Sequence, residues 1–160
     1  TIKALAHASN KSIIPVPTLD VLAYNNLDIN KVVVPIIDAR RNEVYSAIYM
    51  NKENKQLRIS DYMAININEL IEKVDKLNKD AIFLGDGVFS NIEILGNTNY
   101  QIGTSLQNYS RGYNVCFKAM DLLKEGIYTD YNKFDIMYLR KPQAERELEE
   151  KSNDRNKICK

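Results

Sequence analysis

The stretch VVVPIIDARRNEVYSAIYM, residues 32–50, decides the fold. Residues 32–38 form an almost unbroken apolar run. That is the signature of a strand covered on both faces, because a strand with one wet face alternates apolar and polar positions. Residues 43–50 alternate: Val44, Ser46, Ile48 and Met50 fall on one side, Tyr45, Ala47 and Tyr49 on the other. Both sides are largely apolar, so this second strand is covered too. Asp38-Ala39-Arg40-Arg41-Asn42-Glu43 lies between them, with the charge and turn propensity of a hairpin.

Working outward, NKENK is a polar turn, and residues 56–65, with Leu57, Ile59 and Tyr62 among polar positions, read as a third strand of an antiparallel meander. The period then changes. Asn68 is placed to cap ELIEKVDKLN, whose Leu70, Ile71, Val74 and Leu77 make an amphipathic helix. AIFL reads as a buried strand closed by Gly85-Asp86-Gly87. VFSNIEIL reads as a short helix and YQI as a weak strand. In residues 109–125, Tyr113, Cys116, Phe117, Met120 and Leu123 or Lys124 recur at helical spacing, and Gly126 suits the left-handed residue after a helix. FDIMYLRKP is an extended piece.

Upstream, TIKALAHASN reads as a helix with Ile2, Leu5 and Ala6 on one face, ending near Ser9-Asn10-Lys11. It lacks an N-cap and begins at Thr1 without Met, so the chain is expected to be a fragment or processed product. SIIPVP reads as a short strand whose prolines suit an edge or an end. Thr18 is placed to cap TLDVLAYN, with Leu19, Leu22 and Ala23 on one face.

The expected order after residue 30 is β-β-β-α-β-α-β-α, half of a ribonuclease-H-like or actin-like α/β fold, in which two such lobes flank a nucleotide. Residues 31–140 are then expected to form such an actin-like lobe, preceded by residues 1–30 and followed by a charged tail, 141–160.

At 160 residues the chain suits about one domain and can bury a core without staples. Its 22 basic and 21 acidic residues give a net charge of +1, against a generic nucleic-acid binder. Cys116 and Cys159 lie far apart, which suggests neither a disulfide framework nor a zinc site and fits a reduced, cytoplasmic setting. No apolar run reaches the ~18 residues that span a bilayer, and no signal peptide is visible.

Four segments resemble the TsaB (YeaZ) family. AHASNKSIIPVPTLDVLAYN resembles its segment ending in V-S-T-L-D-A-L-A. PIIDARRNEVYSAIY matches its D-A-R-x-x-E-V-Y signature, FLGDGV its strand and glycine turn, and MYLRKPQAERELEEK its Y-L-R-K-x-Q-A-E-R-E ending. They keep the family's order and span Ile2 to about Lys151. The resemblance implies an actin-like ATPase fold with degenerate chemistry. It implies a non-catalytic subunit in synthesis of the tRNA threonylcarbamoyladenosine modification, scaffolding a homologous threonylcarbamoyl-transferase subunit (TsaD) beside a P-loop ATPase subunit (TsaE). Transfer RNA is met through the complex, a homodimer is possible, and no membrane is involved. No cofactor is expected on this chain alone, with ATP or ADP only in the full complex. The resemblance implies that the family's N-terminal lobe, with its GSFTGLRIG segment and most of the partner and homodimer interfaces, should precede Thr1, making residues 1–30 the last helix and strand of that missing lobe plus linker and 31–140 the C-terminal lobe. Without the N-terminal lobe, the apolar faces of residues 1–9 and 12–16 should drive self-association. The rival reading is an enzyme: an M22-type glycoprotease-like metallopeptidase, or a small-molecule kinase of the same fold.

The candidate groups divide between function and structure. Gly85, Asp86 and Gly87 could border an adenosine pocket, since helix N-termini attract phosphate, or form a tight turn needing positive φ. The absence of a complete phosphate-loop motif favours the turn. Arg40, Arg41 and Glu43 could contact a partner or RNA, an arginine fork suiting carboxylate or phosphate; alternatively Asp38 and Glu43 pair with the arginines across the hairpin. Asp38 ends a buried strand, where catalytic carboxylates of this fold sit, yet a structural role is simpler. Arg140 and Gln143, inside the C-terminal signature, suggest docking onto the body or a partner. The single His7 cannot build a metal site alone and reads as a helix-surface residue. Cys116 reads as a core thiol, and Tyr45 and Tyr49 as sheet packing rather than base stacking.

Overall fold

A computed structural model describes residues 1–28, 30–53 and 55–139. It places β1 (Val32–Asp38) at the centre of a seven-stranded mixed sheet. Along one edge of β1 run two antiparallel pieces. β2 (Glu43–Ser46) pairs Val44 with Asp38 and Ser46 with Ile36, and β3 (Tyr49–Lys52) pairs Met50 with Val32. β4 (Lys55–Arg58) pairs with β3, and β5 (Met63–Asn66) with β2.

The single strands expected over 43–50 and 56–65 are thus each broken in two. Ala47-Ile48 separates β2 from β3, and Ile59–Tyr62 separates β4 from β5. At the break the ladder is replaced by Ile59 N donating to the Ile48 carbonyl and Ile48 N donating to Ser60 Oγ. The face assignment survives the break. Val44 and Ile48 enter one core, Ala47 and Tyr49 the other.

Along the opposite edge β6 (Ala81–Leu84) pairs in parallel with β1, from Val32–Ala81 to Pro35–Leu84, and β7 (Gln101–Ile102) extends the parallel part. A parallel neighbour demands a crossover, here supplied by α3 (Ile67–Asp75). Its cap is Asn66, whose side chain accepts from Asn68 N, so the capping asparagine is two residues earlier than the expected Asn68. The helix expected at VFSNIEIL is two short ones, α4 (Gly87–Ser90) and α5 (Ile92–Gly96).

The apolar run of β1 is explained by two cores. Val32, Val34 and Ile36 face α3, α4 and α5 with Phe83, Leu70 and Val74. Val33 faces the other way, with Ile82, Leu84 and Tyr49, onto α2 (Thr18–Ala23). In α2 Thr18 is the first helical residue rather than the cap, and Leu19 through Ala23 are all buried.

α1 (Ile2–Ser9) ends at Asn10 in the left-handed region, but only Ala6 of its expected apolar face is buried; Ile2 and Leu5 are exposed. The strand expected at 12–16 is reduced to one bridge between Ile13 and Thr129, and the Phe134–Leu139 stretch carries no strand. α6 (Gly112–Lys124) ends as expected, with Gly126 at φ 76°. Its orientation is not as expected: Tyr113, Phe117, Met120 and Leu123 are exposed, and Cys116 is an exposed thiol rather than a core residue. The helix lies across α2 through its other face, where Asn114 and Leu122 are buried. No helix of the described residues is long and apolar enough to cross a membrane. Arg140, Gln143 and the 141–160 tail lie outside the described residues.

Candidate functional site at the carboxyl ends of β1 and β6

In open α/β sheets ligands and partners meet the chain beyond the carboxyl ends of the parallel strands. Here that edge brings together the two groups singled out separately in the sequence: the hairpin 38–43 after β1 and the glycine turn 85–87 after β6.

The hairpin is unusual in its backbone. Arg40, Arg41 and Asn42 have φ of 64°, 56° and 59°, three successive non-glycine residues in the left-handed region. Each costs about 1 kcal/mol, asparagine less than arginine. The turn is held at several points. Ala39 N donates to the Glu43 carbonyl and Glu43 N to the Arg40 carbonyl, at 3.0 and 3.1 Å. Ile67 N, the first residue of α3, donates to the Asn42 carbonyl. Asp38 Oδ1 accepts from Arg40 N at 2.7 Å, and its Oδ2 accepts from Ser90 Oγ of α4 at 2.8 Å. Asp38 therefore takes the backbone of Arg40 rather than its guanidinium. Ion pairing of Asp38 across the hairpin is replaced by an Asx-type turn. Among the described residues neither Arg40 nor Arg41 forms an ion pair, and both are exposed.

The glycine turn is explained by packing. Gly85 has φ 111°, and a Cβ there would lie 2.2 Å from the Ile36 carbonyl oxygen. A Cβ on Gly87 would lie 3.1 Å from the same carbonyl. Both glycines let the turn lie against the β1 backbone. Past it, Val88 N donates to the Gly85 carbonyl and Phe89 N to the Asp86 carbonyl. Buried Asn108 fixes the turn from behind, accepting from Gly85 N and donating to the Gly103 carbonyl, both at 3.1 Å. Asp86 Oδ1 accepts from Asp38 N at 3.4 Å, so the two turns are joined directly.

Two features carry no sequence signal. The first is a buried carboxylate. Asp20 of α2 accepts from Tyr49 Oη and Tyr62 Oη, each at 2.6 Å, and pairs with Lys118 Nζ of α6 at 3.2 Å. Burial first, then the Asp20 charge, push the Tyr49 phenol above its ordinary range. Tyr62 is raised by burial and by its hydrogen bond to Asp20. The second is an apolar groove of about 450 Å³ between Pro15–Leu19 and Phe134–Leu139, floored by Ile37, Tyr45 and Tyr62. Tyr45 is thus a groove wall, whereas Tyr49 is core. His7 stays on the surface of α1, stacked on Tyr131 at 4.5 Å. Among the described residues no three His, Cys, Asp or Glu side chains are grouped to hold a metal.

A mixed sheet, antiparallel on one side of β1 and parallel on the other, with helices on both faces, defines an α/β lobe consistent with the ribonuclease-H-like and actin-like class. The family model described as TsaD, tRNA N6-adenosine threonylcarbamoyltransferase, matches residues 1–155. The chain belongs to this family, in which the TsaB and YeaZ proteins are its relatives. A curated relative, the tRNA threonylcarbamoyladenosine biosynthesis protein TsaB of Bacillus subtilis, is 28% identical over 146 residues, 89% of this chain and 62% of that protein. Two solved structures share the fold: a Pseudomonas aeruginosa protein described as similar to the peptidase YeaZ (TM-score 0.72, 20% identity, 87% of this chain and 64% of that one), and YeaZ of the same organism (0.72, 19%, 86% and 64%). The chain therefore spans less than two thirds of the length of these relatives.

Proposed function

We propose that the chain acts in tRNA threonylcarbamoyladenosine synthesis as a non-catalytic partner of a homologous threonylcarbamoyl-transferase subunit. The family match over residues 1–155 and the Bacillus subtilis relative support the pathway. The observation that carries the scaffold role is the state of the strand-end groups. Asp38, the carboxylate where chemistry would sit, is held in the turn, one oxygen accepting from Arg40 N and the other from Ser90 Oγ. The glycine turn packs against the Ile36 backbone and its Gly85 N is taken by Asn108, which supports a structural rather than an adenosine-binding role. Arg40 and Arg41 are left as outward-facing forks suited to a partner's carboxylates. A P-loop ATPase subunit, ATP and tRNA join through the complex rather than through this chain.

Two measurements test the reading: nucleoside analysis of tRNA from cells lacking the gene, and calorimetry of the protein against the transferase subunit. The expected results are loss of the modified nucleoside and saturable binding. Unchanged tRNA, or ATP hydrolysis by the protein alone, would overturn it.

A further inference from the structure

Residues 134–139 form one wall of the apolar groove and are held at both ends. Phe134 N donates to the Asp130 carbonyl at 3.0 Å, and Lys3 Nζ lies 5.5 Å from the Phe134 ring centre. At the other end Leu139 packs, with Ile37 and Tyr62, against the core of Leu19, Tyr49 and Leu84. Between these anchors Ile136, Met137 and Tyr138 are consecutive and 60, 55 and 73% exposed, although all three line the groove of about 450 Å³ opposite Pro15–Leu19. Three adjacent large apolar side chains on one concave surface exceed the single exposures that need no explanation. The groove ends carry cations. Lys3 stands over Phe134, and Arg58 stands over Tyr62 with its Cζ 4.1 Å from the ring centre. Asp135, the acid in the lining, turns an oxygen back to Ile136 N at 2.8 Å, and the contact of Arg58 with Asp61 is long, at 4.0 Å.

The nearest occupant is the chain itself. The groove wall ends at Leu139, and twenty-one residues, 140–160, follow. The apolar residues of 140–157 are Pro142, Ala144 and Leu148, all within nine residues of the wall. Around Leu148, residues 145–150 carry four glutamates against one arginine, opposite in sign to Lys3 and Arg58. Lys141 precedes a proline, which favours an extended or turn backbone there, and nine residues reach up to about 30 Å. A segment tethered this closely meets the groove at an effective concentration of order 1 mM. A second copy at micromolar concentration competes at a disadvantage of order a thousandfold.

We propose that residues 142–148 fold back into this groove, with Ala144 and Leu148 against Tyr45, Met137 and Tyr138 and the glutamates of 145–150 toward Lys3 and Arg58. Ile37 and Tyr45, paired in the groove floor, are one register step from Asp38, so the seated segment closes the face of the sheet beside the 38–43 hairpin.

The test is maleimide labelling of the full 160-residue chain, read by peptide mass, with each rate divided by that of the same thiol in urea. Ala144→Cys, inside the seat, should label about tenfold more slowly than Ser152→Cys, beyond it. Leu148→Asp, and separately Met137→Asp in the exposed wall, should each bring Ala144→Cys up to the Ser152→Cys rate. Equal rates for the two thiols would overturn the proposal. So would slow labelling that speeds up on dilution, which assigns the groove to a second copy. Slow labelling that neither aspartate relieves would bury the segment somewhere other than this groove and sink the idea.

Discussion

Gly85 and Arg41 are backbone outliers of opposite meaning. Gly85 is at φ 111° because the β6–α4 turn presses on the Ile36 carbonyl, and only glycine fits. Gly85→Ala should cost about 3 kcal/mol in urea unfolding, from positive φ together with the clash. Gly96 in α5 has nothing within 4 Å of its missing Cβ. Gly96→Ala should be neutral or stabilising by about 0.5 kcal/mol. Arg41, by contrast, holds φ 56° against its own Cβ, with no packing that requires arginine. Arg41→Gly should therefore stabilise the lobe by about 1 kcal/mol while weakening binding to the transferase subunit. Arg40→Glu and Arg41→Glu should weaken binding with the unfolding midpoint moved by no more than about 0.5 kcal/mol. If either charge reversal unfolded the protein, the contact role of the forks would be lost. The strain in DARRNEVY could not be read from the residues, since nothing but the asparagine signals a left-handed turn; the hairpin itself could, from the polar gap between two apolar runs.

At the scale of the element, legibility follows how local the cause is. β1 and β6 were plain because burial on both faces writes a continuous apolar run. The ends of α1 and α6 were plain because Asn10 and Gly126 mark left-handed caps. The stripe of α6 was visible but assigned to the wrong side, because helical period reports that a face is apolar and not which body covers it. α2 shows the limit from the other direction. Nothing in TLDVLA announces that Asp20 is the hub on which two sheet tyrosines and a lysine from a distant helix converge. A buried carboxylate is tolerated only when its lone pairs are met and its charge is paired. Removing it leaves Lys118 half of a broken pair. Asp20→Ala should cost about 3–5 kcal/mol, and Tyr62→Phe about 1 kcal/mol, both read from urea midpoints. A loss for Asp20→Ala no larger than for Tyr62→Phe would show that the lysine pairing adds nothing.

At the scale of the molecule, α2 is strapped to the sheet and to α6 by phenols. Tyr49 and Tyr62 donate to Asp20, and Tyr24 donates to Asp121 Oδ2 at 2.6 Å. Burial, reinforced by the aspartates, raises all three phenols above the ordinary value of 10.0. A tyrosine is neutral when protonated, so a raised folded-state pKa means the native protein keeps protons that the unfolded chain releases. The stabilisation is complete below the unfolded value near pH 10 and is lost as pH rises toward the folded values. Between the unfolded and folded values each phenol lowers stability by about 1.4 kcal/mol per pH unit. The lobe should therefore hold its urea midpoint through neutral pH and lose it steeply above about pH 10, where the unfolded phenol ionises. Tyrosinate absorbance should appear together with unfolding for these groups. In Tyr49→Phe the slope above pH 10 should shrink by one phenol's share. Because the same straps join α2, α6 and the sheet, alkaline loss of the α6 circular-dichroism signal should coincide with loss of the sheet. Separate transitions would mean that α6 is held to the lobe by apolar contact alone, and that the Asp20 hub binds α2 to the sheet without reaching α6.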